Sequence, residues 1–353
     1  MTARIVHVAS GREWRGGERQ VWLLARELKS RGVEQSVVTS AGGELASRLS
    51  ASGIPVVPTR WHAGLDPRVV PAIVRQIPPS AVLHAHDAHA VTLAGLSAWL
   101  TKSPLVATRR VIFPLRSRFF WRRACRIIVI SSAVRDALIR DGLERTRLVV
   151  IPSAVDPAAT ESPGVDLRTR LSIPQNGHLA VTLGALTPEK DHSTLIRAAR
   201  RLVQDLPDLH WAIVGSGPLK HELEQQIAQA GLTSRVHLLG QLNNAHEALS
   251  GANVFVLSSL SEGLGSSILA AMARGIPVVA TRVGGVPEVL GNGGGLLVQP
   301  GDPAELAAAV HRVLSDAELG PRLIDKARQE VERFSLGGMA EHVLSVYRSC
   351  SFS

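Results

Sequence analysis

The stretch Ser258–Leu290, SSLSEGLGSSILAAMARGIPVVATRVGGVPEVL, decides how the rest of the chain is read. Val254–Leu257 just ahead of it is a short apolar run of strand type, and Val278–Ala280 within it is a second. Between them lies a loop carrying Glu262 and two glycines, followed by a segment that predicts a short helix from near Ser266. A glycine-rich turn feeding a helix N-terminus between two strands leaves backbone N–H groups unpaired and aims the positive end of the helix dipole forward. Gly263, Leu264, Gly265, Ser266 and Ser267 are therefore a candidate anion site. Glycines at this spacing also make plain tight turns. Glu262 is the added feature: a carboxylate has no use beside a phosphate except to accept hydrogen bonds from hydroxyls, such as those of a sugar ring.

Outward from this stretch, strands and helices alternate along the whole chain, the pattern of parallel sheets covered by helices on both faces. Strands are expected at Arg4–Val8, Gln35–Thr39, Ile54–Val57, Ala81–His84, Leu105–Thr108, Arg126–Ile130 and Leu148–Ile151. After the Pro/Gly-rich passage Pro152–Gly177 come His178–Leu183, His210–Gly215, Val236–Leu239, Val254–Leu257, Val278–Ala280 and Gly295–Val298. Asp66-Pro67 and Asp302-Pro303 read as helix starts, and Leu336–Arg348 as a last amphipathic helix. With 353 residues the chain is too long for one ordinary core. The fold class is α/β: two doubly wound, Rossmann-like domains, 1–165 and 166–335. In such folds ligands lie beyond the carboxyl ends of strands, where Gly16, Gly17, His86 and Asp87 fall.

Hydrophobic residues make up 45% of the chain, and no run of about 18 apolar residues could span a bilayer. Met1–Ser10 holds a single basic residue and lacks signal-peptide character, so a cytoplasmic location is expected. Cys125 and Cys350 lie far apart without metal-ligand spacing, and reduced thiols of no chemical role are expected. The net charge of +9 is uneven: residues 1–165 hold 23 Lys and Arg against 12 Asp and Glu. Arg109, Arg110, Arg116, Arg118, Arg122 and Arg123 fall in a region with no acid between Asp87 and Asp136, interleaved with Phe113, Phe119, Phe120 and Trp121. Such a segment suits nucleic acid, an anionic membrane surface, an anionic lipid-linked acceptor, or merely solvent. His84, His86 and His89 do not share one face of a strand or helix, which argues against a metal.

Glu262-Gly263-Leu264-Gly265 resembles the Glu-Gly-Phe-Gly segment of the retaining glycosyltransferases of family 4, in which a second Glu follows after four residues; here that position is Ala270. Leu183–Asp191 resembles the family's Gly-Arg-Leu-x-x-x-Lys stretch, with Gly184 and Lys190 kept and Ala185 in place of the arginine. Gly16-Gly17-Glu18-Arg19 is a partial match to the family's first-strand loop, His86 stands at its strand-end histidine, and Gly215, Gly217 and Gln241 fall in its nucleotide-side turns. Ile151–Asp156 and the last helix are similar to the segments that close the family's first domain.

The resemblance implies a GT-B fold whose domains face a cleft, with the C-terminal segment 336–353 packing back on the first. It implies donor binding by the second domain and acceptor binding by the first. Lys190 and the Gly16-Gly17 backbone would meet the donor diphosphate, while Glu262 and His86 hold the sugar. The implied reaction is metal-independent, retaining transfer from a nucleoside-diphosphate sugar, with no other cofactor, to a glycan or lipid-linked acceptor. Lipopolysaccharide or polysaccharide assembly at the inner face of the plasma membrane is the expected setting; nucleic acid is not an expected partner. Arg274, one helical turn from Ala270, is a candidate replacement cation. Ala185 and Ala270 keep open a catalytically impaired nucleotide-sugar binder, and Glu262 with Asp87 a nucleotide-sugar epimerase.

Overall fold

The computed structural model describes residues 4–61, 66–156, 164–242 and 245–351. The chain forms two compact units, one of residues 1–154 with 335–353 and the other of residues 155–334. The first holds a seven-stranded parallel sheet of β1 (Ile5–Ala9), β2 (Gln35–Ser40), β3 (Val56–Thr59), β4 (Val82–Ala85), β5 (Leu105–Arg109), β6 (Arg126–Val129) and β7 (Leu148–Val150). Its order is β3-β2-β1-β4-β5-β6-β7. The second holds β8 (His178–Leu183), β9 (Leu209–Val214), β10 (Val236–Gly240), β11 (Val254–Leu257), β12 (Val278–Thr281) and β13 (Leu296–Val298), ordered β10-β9-β8-β11-β12-β13. Central strands such as IVHVA and VFVL are buried at every position, which is why they read as continuous apolar runs without alternation.

Local chemistry moves some boundaries. The third strand begins at Val56, later than expected, because the Ile54 N–H bonds back to Leu49 O and completes the end of the helix Glu44–Ala51. Asp66 does not cap a helix at Pro67. Its carboxylate accepts from the Arg68 backbone and guanidinium, and the helix runs Val69–Val74. Part of the expected linker, residues 157–163, lies outside the described residues; the rest includes a short helix, Leu167–Arg170, capped by Asp166. The division between units falls after Ala154, short of the expected 165.

The last helix, Leu336–Ser351, belongs to the first unit. Ala340, Val343, Val346, Tyr347 and Cys350 pack on Ile5, Leu24, Leu28, Val82, Val106 and Ile128. At roughly 1.5–3 kcal/mol per fully buried aliphatic side chain, this face anchors the helix. It also corrects the expectation of free thiols. Cys125 and Cys350 are disulfide-bonded, with Cα atoms 6.0 Å apart. Their separation of 225 residues concealed the pairing, which the helix makes by returning to the start of β6. Closing so long a loop stabilises by about 2–5 kcal/mol. Cys350→Ser is expected to lower the unfolding free energy by that amount in urea titrations, and added dithiothreitol should lower the midpoint in the wild type but not in the variant. Equal midpoints with and without reductant in the wild type would remove the cross-link from the stability of the protein.

Candidate active site

In the second unit the strand order reverses between β8 and β11. Loops leaving the carboxyl ends of two such strands diverge and open a crevice, the usual ligand position in open α/β sheets. Lys190 stands on the loop after β8 and Glu262 on the loop after β11. Lys190 Nζ donates to Glu262 Oε1 at 2.5 Å, the lysine side chain being 22% exposed and the glutamate 9%. Ser259 Oγ donates to the same oxygen at 2.7 Å. The loops are tied again by Ser258 Oγ to Lys190 O (3.0 Å) and Leu260 N to Glu189 O (2.8 Å), while Thr281 Oγ1 on β12 holds Ser259 O at 2.6 Å. Lys190 and Glu262 are thus fixed by their surroundings, unlike a mobile surface pair.

Glu262 is followed by Gly263 and the buried Leu264, then by Gly265, whose φ of +83° turns the chain into the helix Ser266–Ala273. That φ is open to glycine at little cost. Gly284, in the loop after β12, comes so close that a Cβ there would lie 1.7 Å from Glu262 O. The neighbouring strand ends add Gly184, whose N–H bonds Val214 O (3.0 Å), and Gly215, whose N–H bonds Gly240 O (2.9 Å). Gly217 follows in the same turn, where Ser216 Oγ donates to Gln241 Oε1 at 3.1 Å. Every expected donor-side residue of this unit therefore sits beyond the carboxyl ends of the strands of one sheet, on loops or, for Ser266 and Ser267, at the start of a helix.

The two departures from the motif are plain in the structure. Ala270 is buried, and the Ala185 carbonyl is 3.2 Å from His192 Nε2. Arg274, the candidate replacement cation, is the C-cap of the helix Ser266–Ala273; burial lowers its pKa, and Glu247 opposes that shift.

In the first unit the order reverses between β1 and β4. Gly16 and Gly17 open the helix Gly16–Ser30 after β1, and His86 and Asp87 follow β4. Asp87 joins the two loops, accepting from Ser10 N (2.7 Å), Ser10 Oγ (2.6 Å) and, as a helix cap, Ala90 N (2.9 Å). His86 is 5% exposed and lies in a buried trio: its Nε2 is 2.9 Å from His7 Nδ1, and its ring centroid is 3.9 Å from that of His84. His84 is held on both nitrogens, at 2.7 Å each, by Tyr347 Oη and Thr108 Oγ1. Burial lowers all three pKa values, that of His7 to about 4. One ring nitrogen from each of the three lies within 4.8 Å of the other two, close enough to hold a metal ion. With both His84 nitrogens already bonded, we read the trio as a packed polar network. His7 gave no sign in the sequence, since a histidine inside a strand is visible as a partner only once β1 pairs with β4.

Arg109 and Arg110 correct the reading of a continuous exposed basic segment. Arg109 is 8% exposed, its guanidinium bonded to the carbonyls of Val111 and Phe113. Arg110 Nη1 donates to His86 O at 2.8 Å. Its pKa is lowered to about 10 by burial, against the opposing charges of Glu18 and Asp87. Burial in turn raises the Glu18 carboxyl. Arg116, Arg118, Arg122 and Arg123 are exposed, whereas Trp121 is buried.

Two Rossmann-like units, each with its glycine loops at the switch point of a parallel sheet, define the GT-B class of glycosyltransferase. Residues 14–159 match the family described as Glycosyltransferase Family 4, and residues 166–330 match Glycosyl transferases group 1. The chain belongs to this glycosyltransferase family. It is 32% identical over 60% of its length to a 2-deoxystreptamine glucosyltransferase of Streptomyces kanamyceticus, of which the alignment spans 58%. It is 28% identical over 95% of its length to a phosphatidyl-myo-inositol mannosyltransferase of Mycolicibacterium smegmatis, covering 90% of that protein. The crystal structure of Anabaena HepE in complex with UDP and glucose superposes with a TM-score of 0.86 at 22% identity, over 98% of this chain and all of HepE.

Proposed function

We propose that this chain transfers a sugar from a nucleoside-diphosphate sugar to a glycan or lipid-linked acceptor, with retention at the anomeric carbon, in the assembly of lipopolysaccharide or a related envelope polysaccharide at the inner face of the plasma membrane. The observation that carries this reading is the Lys190–Glu262 pair on the Gly263–Ser267 loop and helix end. One member of the pair suits a diphosphate and the other suits sugar hydroxyls, and both are held at one switch point.

The leaving group is a diphosphate, so its departure calls for charge stabilisation more than for a strong acid. Lys190 and the backbone N–H groups at the start of the helix Ser266–Ala273 supply that charge without a divalent ion. Glu262, already oriented by Ser259, holds the sugar hydroxyls and fixes the ring. The UDP and glucose of HepE and the lipid named for the mycobacterial relative support a nucleotide-sugar donor and a lipid-linked acceptor.

Ala185 and Ala270 favour a second reading, a binder of impaired activity. Each missing charged hydrogen bond is worth about 1.5–3 kcal/mol, which together weakens the donor by about a hundredfold or more. The epimerase reading loses support, because Asp87 is engaged by Ser10 and a helix cap and Glu262 by Lys190.

The test is a thermal-shift panel of nucleoside diphosphates and their sugars, followed by a radiolabel transfer assay in EDTA. Glu262→Ala is expected to weaken the sugar form at least tenfold while sparing the free diphosphate. Absence of any shift at millimolar nucleotide would overturn the donor site, and a shift without transfer or hydrolysis would favour the impaired binder.

A further inference from the structure

We infer that the face formed by the helices Ala88–Thr101 and Phe119–Arg123 is the surface on which this protein docks to an anionic lipid bilayer. The inference rests on the lipid-linked acceptor proposed above and names where on the chain the membrane is met.

The helix Ala88–Thr101, AHAVTLAGLSAWLT, carries no Asp, Glu, Lys or Arg. Its inner side is buried through Ala90, Val91, Leu93, Ala94 and Ala98, yet at its end Trp99 and Leu100 are 66% and 56% exposed. The exposed side is polar at His89 and Thr92 and apolar at its end, and large apolar side chains left in water at the end of a charge-free helix mark a surface that a partner covers.

The second helix extends this surface. Phe120 packs into the space left at Gly95, where a Cβ would lie 2.4 Å from the ring. Trp99 is one helical turn beyond Gly95 on the same side, so it borders that contact. Phe119 is 55% exposed, meets Phe120 edge to face at 4.9 Å and carries the Arg123 guanidinium 3.8 Å from its ring centroid. Exposed apolar side chains therefore come from two helices that pack on each other through Gly95 and Phe120.

Charge identifies the partner. Lys102, Arg116, Arg118, Arg122 and Arg123 are all exposed around these aromatics, and the chain has no acid between Asp87 and Asp136. The largely buried Asp141 is the acid that Arg118 approaches, at 4.0 Å. Tryptophan and phenylalanine with arginines whose stems lie along them suit the interface of a bilayer, the rings reaching the acyl boundary and the cations the headgroups. Among the described residues no helix is long and apolar enough to cross a membrane, so docking would be peripheral.

The experiment is co-sedimentation of the full chain with phosphatidylcholine vesicles, with and without phosphatidylglycerol, at low and high salt. Binding is expected only to the anionic vesicles and should weaken with salt. Arg118→Gln/Arg122→Gln/Arg123→Gln should lower partitioning by about a hundredfold, each cation near the surface being worth about fivefold. Trp99→Ser/Leu100→Ser should lower it with the charge intact. No partitioning of the wild type, or partitioning unchanged in both variants, would overturn the inference. So would a stable dimer in solution that Trp99→Ser/Leu100→Ser dissociates, or tighter binding to single-stranded RNA than to vesicles. Nucleotide-induced thermal shift, read in the same variants, reports the second unit separately. Vesicle binding without any nucleotide shift would leave this surface standing and remove the donor reading.

Discussion

Lys190→Ala is expected to erase stabilisation by nucleoside diphosphates and to lower kcat/KM by roughly a hundred- to a thousandfold, the loss typical of one charge-stabilising group in a water-poor site. The reason is positional. Lys190 is held 2.5 Å from Glu262 and is only 22% exposed, so under the proposed function its ammonium would already be in place for a diphosphate. The variant has a second effect that must be separated from the first. It leaves Glu262, 9% exposed, with Ser259 as the neighbouring donor, which costs on the order of 1–2 kcal/mol after discounting for the partly exposed lysine. Lys190→Ala/Glu262→Gln should restore most of that stability, because the amide needs no counter-charge, while donor binding stays lost. If the double variant recovered nucleotide binding as well as stability, Lys190 would be a structural cation and the diphosphate would be met elsewhere. Retention of kcat/KM within threefold in Lys190→Ala would likewise make it a structural cation.

The fold was legible in the sequence because parallel strands buried on both faces leave continuous apolar runs, and runs such as Val254–Leu257 or Val278–Thr281 are bounded by glycine turns. The candidate donor-side loops were legible for a related reason: Gly184 and Gly215 directly follow strands, and Glu262 and Gly265 lie in the short connection from β11 to the next helix, so knowing the strands places all four at the carboxyl ends of one sheet. What stayed hidden depends on contacts across long separations. Cys125 meets Cys350 only because the last helix returns to the first unit. Arg109 and Arg110 read as part of a charged run, yet local carbonyls and the His86 loop take them inward while Arg116, Arg118, Arg122 and Arg123 stay out. Arginine count alone carries no such distinction, since the long side chain can turn either way.

The buried histidine trio should make the stability of the first unit fall as the solution is acidified from pH 7 to pH 5. In the folded state burial keeps His7, His84 and His86 neutral, with the His7 pKa lowered to about 4 and the other two well below 6.5. In the unfolded chain each returns to about 6.5. Below that value the unfolded state binds protons that the folded state refuses, so the stabilisation is complete above pH 6.5 and is lost as pH falls toward the folded pKa. For His7 alone the full difference corresponds to about 3 kcal/mol, reached near pH 4. His84 and His86 act in the same direction, and Arg110 together with the other rings opposes either of them becoming charged. Glu18 acts the other way, since its raised carboxyl takes up a proton in the folded state first. Most carboxylates titrate below pH 5, so histidines dominate the interval from about 6.5 to about 5; His192, His210 and His237 of the second unit, also lowered by burial, act in the same direction, and the His7 variant separates the trio from them. Urea unfolding followed across that interval should show stability falling with a slope of more than one proton. His7→Gln should reduce the slope by about one proton, whatever its effect on stability at pH 7. A flat profile from pH 7 to 5 in the wild type would mean that the trio is charged or hydrated in the folded protein, and that β1 and β4 are not sealed by the last helix as Tyr347 and His84 place it.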